Sequence, residues 1–246
     1  MKKIKWQVVL SAALVLISGG LYVLHFLIFH DAHHIFIYLL GDIAFLPIEV
    51  LFVTLIINTL LSRHDKRIKL KKMNMVIGTF FDETGSELLR QFLKFEKNGK
   101  ALTETVLQSR RWDDKDFLTL LKKLPGFAYN IDIRGGDLPA LKVFLTSRRG
   151  FLLSLLGNAN LLEHDKFTDL LWAVFHLTDE LEYRLDFEHL PAADLLHLAL
   201  DLRRAFGLLT LEWLAYMRHL KHDYPYLFSL AIRTNPFDAE ASAIIN

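Results

Sequence analysis

"GDIAFLPIEVLFVTLIINTLLSR", residues 41–63, decides how the rest of this chain is read. It lies within an apolar stretch from Ile35 to Leu61, 27 residues long, that carries only two charged side chains, Asp42 and Glu49. At 1.5 Å per residue, about 20 helical residues cross the roughly 30 Å hydrocarbon core of a bilayer. Upstream, Trp6 to Phe29 gives 24 residues without Asp, Glu, Lys or Arg. Five residues, His30 to His34, separate the two stretches. So short a link predicts an antiparallel transmembrane hairpin. A signal peptide is the other reading of "MKKIK" and the run after it. That run is too long for the apolar region of a signal peptide, and no small-residue cleavage site follows it.

Charge sets the direction. Lys2, Lys3 and Lys5 precede the first span, and Arg63, Lys66, Arg67, Lys69, Lys71 and Lys72 follow the second. The link "HDAHH" has neither Lys nor Arg. The positive-inside rule then puts both termini in the cytoplasm and the link outside. Residues 1–72 hold nine Lys and Arg against four Asp and Glu, and residues 73–246 hold 20 against 24. The basic run 63–72 is expected to meet anionic lipid headgroups. A mildly acidic remainder without a basic stripe argues against nucleic acid as a partner, because neutralising phosphate supplies most of that affinity. With no cysteine, disulfides, thiolate zinc sites and thiol catalysis are excluded.

The carboxylates carry the functional question. Seven helical residues turn through about 700°, so Asp42 and Glu49 point within about 20° of each other. Any 20-residue window within 35–61 contains Glu49, whereas Asp42 can sit at the outer edge. An ionised carboxylate at that depth costs a few kcal/mol and should face protein or water. Pro47, between them, cannot donate to the Ile43 carbonyl and predicts a kink with a freed acceptor. The first span has its own seven-residue stripe, Ser11, Ser18 and His25, and Gly19-Gly20 permit close helix approach. Counted outward from the link, Tyr22 matches the depth of Asp42 and His25 lies slightly further out. Either could hydrogen-bond Asp42. Three readings follow: the acids tie hairpins together in a homo-oligomer; a ring of Glu49 carboxylates, with Asp42 outside it, lines a cation pore; or the acids serve proton or metal chemistry with the outer histidines. His30, Asp31, His33 and His34 form a dense cluster, and His30 and His34 could chelate a divalent metal if helix continues between them. The other reading of that cluster is a neutral polar turn.

Beyond the spans the pattern is helical. "SRHDKRIKLKKMNMVIGTFFDETGSELLRQFLKFEKN" continues the second span, predicting one long helix or two nearly continuous ones to about Lys97, with Gly78 and Gly85 as weak points. Then follow a capped start at "DDKDFLTLLKK", an N-cap at Asp137 with Pro139 in the first turn, an amphipathic run over "HDKFTDLLWAVFHLTDELEYRL", a long helix from Pro191 and a short last one ended by Pro236. "FAYNIDIRGG" is the one strand-like stretch. The fold class is therefore all-α: a transmembrane hairpin over 1–62, a basic membrane-proximal helix over 63–97, and a cytoplasmic helical bundle over 98–246.

No phosphate-binding glycine loop, dinucleotide fingerprint, nucleophile elbow or H-E-x-x-H motif occurs. His64, His164, His176, His189, His197, His219 and His222 make no E-x-x-H pair of the di-iron bundle kind. Arg110-Arg111, Arg148-Arg149 and Arg203-Arg204 read as partners of local carboxylates, and Trp112, Trp172 and Trp213 as core or interface aromatics.

The block "LGDIAFLPIEVLFVTLIINTLLSRHDKRIKLKKMNMVIGTFF" resembles a group of uncharacterised prokaryotic two-span membrane proteins, in which a span with an F-L-P element runs into a charged cytoplasmic helix. The resemblance covers about residues 35–85. It implies a prokaryotic plasma membrane and no activity or cofactor. The expected function is that of a homo-oligomeric, membrane-anchored sensor, scaffold or partner-binding module. The alternative is an oligomeric cation channel, and a membrane-bound enzyme comes third. The expected partners are the lipid bilayer, further copies of the chain and a cytoplasmic protein.

Overall fold

The computed structural model describes residues 2–107, 112–159, 161 and 164–244, with residues 2–5, 7 and 63–71 described by their backbone alone. The protein is all-helical, and it divides into two compact units, Met1–Lys66 and Arg67–Asn246.

The first unit holds α1 (Lys2–Phe29) and the start of α2 (Ala32–Phe80). Two residues join them. His30 takes the left-handed conformation, φ 53°, and its N–H donates to the Phe26 carbonyl at 2.8 Å, closing α1. Asp31 opens α2: its Oδ1 accepts the His34 N–H at 3.1 Å. Val8–Phe29 and Ala32–Ser62 are long and apolar enough to cross a membrane, and no residue of either is buried within the chain.

The second unit has its own core. Chain order from α2 is a π-helical turn (Phe81–Gly85), α3 (Ser86–Leu93), α4 (Gly99–Leu107), α5 (Asp114–Lys123), α6 (Leu138–Leu156), α7 (Asp165–Glu182), α8 (Ala192–Asp223) and α9 (Pro225–Arg233). α8 is the centre: α3, α5, α7 and α9 all pack on it, and α6 packs on α7. Its buried positions Leu198, Leu202, Phe206, Leu209, Trp213, Met217 and Leu220 recur every three or four residues. Full burial of such a side chain contributes about 1.5–3 kcal/mol each for the larger ones. The caps are those the residue types dictate. Asp113 and Asp116 form a reciprocal capping box on α5, and Asp137 accepts the Ala140 N–H at 2.8 Å on α6.

Residues ahead of α4 contribute heavily to this core. Phe80, Phe81, Leu88, Leu89, Phe92 and Phe95 are all at most 1% exposed. Phe80 stands edge-on to Phe167, and Phe92 to Phe206. "FAYNIDIRGG" makes one isolated antiparallel bridge, Ile131 to Glu96, and no strand. The buried Glu96 carboxylate fixes that bridge by accepting the N–H groups of Asn98 and Asn130 at 2.8–3.0 Å.

Candidate functional site

The hairpin brings together five of the polar residues singled out in its sequence, Ser18, Tyr22, His25, His34 and Asp42, with Tyr38. Ser18, Tyr22 and His25 of α1 and His34, Tyr38 and Asp42 of α2 line one cavity of about 400 Å³. The His25 and His34 rings stack at 5.9 Å, and His34 meets Tyr38 at 4.6 Å. His25 Nδ1 is buried without a hydrogen-bond partner among the described residues. Asp42 makes no hydrogen bond with Tyr22 or His25 there. Glu49 and Pro47 lie outside this cavity. Helix α2 continues through Pro47. Among the described residues Glu49 makes no hydrogen bond or ion pair.

The link residues are placed differently from a chelating turn. His30 breaks the helix and Asp31 is taken up in capping α2, so His30 and His34 do not share a continuous helix face. His33 lies exposed in the first turn of α2. Of the basic flank, Lys72 is exposed, and the side chains of Arg63, Lys66, Arg67, Lys69 and Lys71 lie outside the described residues. Arg110-Arg111 lies outside them too. Arg148 pairs with Glu83 at 3.4 Å, and Arg149 with Asp179 and Glu182.

A second cluster stands on the helical unit. His176 and Glu180 are one turn apart on α7, and His197 and Asp201 are one turn apart on α8. The two helices are antiparallel neighbours, so Glu180 comes opposite His197 and His176 opposite Asp201. One donor atom from each of the four lies within 4.8 Å of the others. Asp201 Oδ2 is 3.4 Å from His176 Nε2 and 3.3 Å from His197 Nε2. Glu180 is 3.8 Å from His176 Nε2 and 3.6 Å from His197 Nε2. The histidine side chains are half-exposed, and that of Asp201 is 6% exposed. Asp201 Oδ2 is buried without a hydrogen-bond partner among the described residues.

Arginines hold the outer side of these carboxylates. Arg184 donates from Nη1 to Glu180 Oε2 at 2.7 Å and grips Asp194 with Nε and Nη2 at 2.8 and 2.6 Å. This guanidinium holds both carboxyls below the usual carboxylate range, so they stay ionised. Arg204 Nη1 stands 4.0 Å from Asp201 Oδ1. A groove of about 460 Å³, lined by Asp169, Trp172, Ala173, His176, Arg204 and Leu208, runs up to His176. The E-x-x-H pattern does not describe these histidines. Their sequence signal is H-x-x-x-E followed by H-x-x-x-D, each pair spaced for one helix face.

Similarity to known proteins fits this two-unit architecture. Residues 2–61 match the family model described as the N-terminal helical domain of MJ1433. Residues 69–233 match that of the C-terminal helical domain of uncharacterized protein MJ1433. The chain is 43% identical over 240 residues to uncharacterized protein MJ1433 of Methanocaldococcus jannaschii, covering 98% of this chain and 96% of that protein. No solved structure matches. The resemblance read over residues 35–85 to uncharacterised proteins thus extends over nearly the whole chain, and the chain belongs to the MJ1433 family.

Proposed function

We propose that this protein is a membrane-anchored helical module. In this reading α1 and the apolar part of α2 cross a prokaryotic plasma membrane as a hairpin. Both termini and the helical unit lie on the cytoplasmic side, and copies associate through their hairpins. The helical units then form a sensing or partner-binding platform. The observation that carries the reading is a contrast in burial. The helices over 8–29 and 32–62 bury none of their apolar residues within the chain, while the unit from Arg67 onward encloses a complete core. Apolar helices so uncovered require lipid or other helices around them. The Lys and Arg asymmetry supports the direction.

Glu49 supports association, because a carboxylate at its depth needs a partner and none of the described residues supplies one. The same fact favours a second reading, a cation channel in which Glu49 carboxylates face a central path. One experiment separates them: oligomer size in detergent and planar-bilayer recordings for wild type, Glu49→Gln and Glu49→Leu. The anchored module predicts an oligomer without current. It survives Glu49→Gln, which keeps a hydrogen-bonding group, and is weakened by Glu49→Leu by roughly 0.6–2 kcal/mol per lost contact. A cation-selective current that Glu49→Gln diminishes would establish the channel instead. A monomeric wild type would remove the association.

A further inference from the structure

We propose that His176, Glu180, His197 and Asp201 bind a divalent transition-metal ion, with zinc the ion their chemistry suits, and that the ion staples α7 to α8. The inference stands apart from the membrane reading, since every residue in it belongs to the helical unit.

Geometry is the first support. Zinc bonds imidazole nitrogen and carboxylate oxygen at about 2.0–2.2 Å, so neighbouring ligand atoms of a tetrahedron lie about 3.3–3.6 Å apart. Asp201 Oδ2 stands 3.3 and 3.4 Å from the two imidazole nitrogens, Glu180 Oε1, the oxygen Arg184 leaves open, stands 3.8 Å from His176 Nε2, and one donor atom from each of the four residues lies within 4.8 Å of the others. The second support is Asp201 Oδ2, a buried carboxylate oxygen with no hydrogen bond among the described residues, aimed between two imidazole nitrogens. A buried, unbonded anionic oxygen is costly, and a cation at its lone pairs relieves that cost. The two histidines reach it from different helices with their rings at 84° to each other, so they approach one point from separate directions. Their half-exposure leaves a route for the ion from solvent.

Charge is also arranged for it. Arg184 occupies Glu180 Oε2 and both oxygens of Asp194, and Arg204 stands on the Oδ1 side of Asp201. The ligand carboxylates are thereby oriented from outside, as ligands of metal sites are by their hydrogen-bonded neighbours. Two imidazoles and two carboxylates suit zinc better than magnesium or calcium, which favour all-oxygen shells. With four protein ligands the tetrahedron is closed, and a closed zinc site ties chain segments together, whereas a catalytic one keeps a position open. Without metal, the same contacts amount to histidine–carboxylate ion pairs, which make no demand for zinc.

The test uses the full chain in detergent, stripped with a chelator and titrated with zinc against a chromophoric competitor. We expect one zinc per chain at the cluster and a Tm higher by roughly 5–10 °C when free zinc is about 100 times its Kd. Cobalt should give the intense visible absorption of tetrahedral coordination. His197→Gln and Asp201→Asn should each weaken zinc binding by about 100-fold or more and remove the cobalt band. A paired His33→Gln and His34→Gln variant in the hairpin should leave both intact. Metal-free Tm values identify any variant that fails to fold, and Glu180→Gln, on a side chain 26% exposed, then carries the same test. No zinc uptake by wild type, cluster variants that bind zinc as wild type does, or loss of binding in the hairpin variant would each overturn the proposal.

Discussion

Two buried carboxylates on the helical unit differ in what meets them. Glu96 accepts two backbone N–H groups and is satisfied. Glu212, 5% exposed on α8, is pushed up in pKa by its burial, and among the described residues the more distant charges of His164 and Lys166 offset this in part. A carboxyl with a raised folded-state pKa holds its proton longer in the native state than in the unfolded chain. Stability is therefore lost as pH rises from the unfolded value, near 4.3, through the folded one. Glu212→Gln should raise the Tm by a few degrees at pH 7.5, with the gain shrinking toward pH 4.5. Equal loss of Tm at both pH values would contradict this. The metal-ligand candidates show what a sequence carries at this scale. The spacing of His176 to Glu180 and of His197 to Asp201 is written in the chain. The antiparallel register that sets one pair against the other is a property of how α7 meets α8, which periodicity does not specify.

At the scale of elements, the long helix read from Ile35 is largely present: the chain is helical from Ala32 to Leu93, interrupted only in type by the π turn Phe81–Gly85. Gly85, read as a weak point, is where that turn ends. A Cβ there would lie 2.6 Å from Phe81 Cδ1 and 2.8 Å from Phe80 Cε1. Both rings are fully enclosed and have nowhere to move. Gly85→Ala should cost roughly 1–3 kcal/mol by overpacking. Gly150→Ala, within α6 with nothing near its Cβ, should gain about 0.5–1 kcal/mol from helix propensity. Urea unfolding of both measures the two signs, and stabilisation by Gly85→Ala would remove the close packing from the account. Caps at Asp113 and Asp137 were legible because a carboxylate before an amphipathic run has one local role. The π turn was not, because Phe80 and Phe81 at its start pack on Phe167 and Tyr216, which are distant in sequence.

For the whole molecule, composition alone separated an apolar, basic-flanked beginning from a mildly acidic helical remainder, and the structure divides between Lys66 and Arg67. Hydropathy carries that much because lipid-facing and water-facing helices need different surfaces. It does not say which helices share a core, and residues 73–95 enter the core around α8 through contacts distant in sequence. In the proposed arrangement the hairpin crosses a membrane with its link outside and the helical unit inside. The chain has no cysteine, so an introduced one reports a single position. Ala32→Cys sits exposed at the start of α2 and Ser147→Cys exposed on α6. An impermeant thiol reagent added to whole cells should label Ala32→Cys directly and Ser147→Cys only after lysis. Protection of Ala32→Cys until lysis, or labelling of Ser147→Cys in intact cells, would contradict the account.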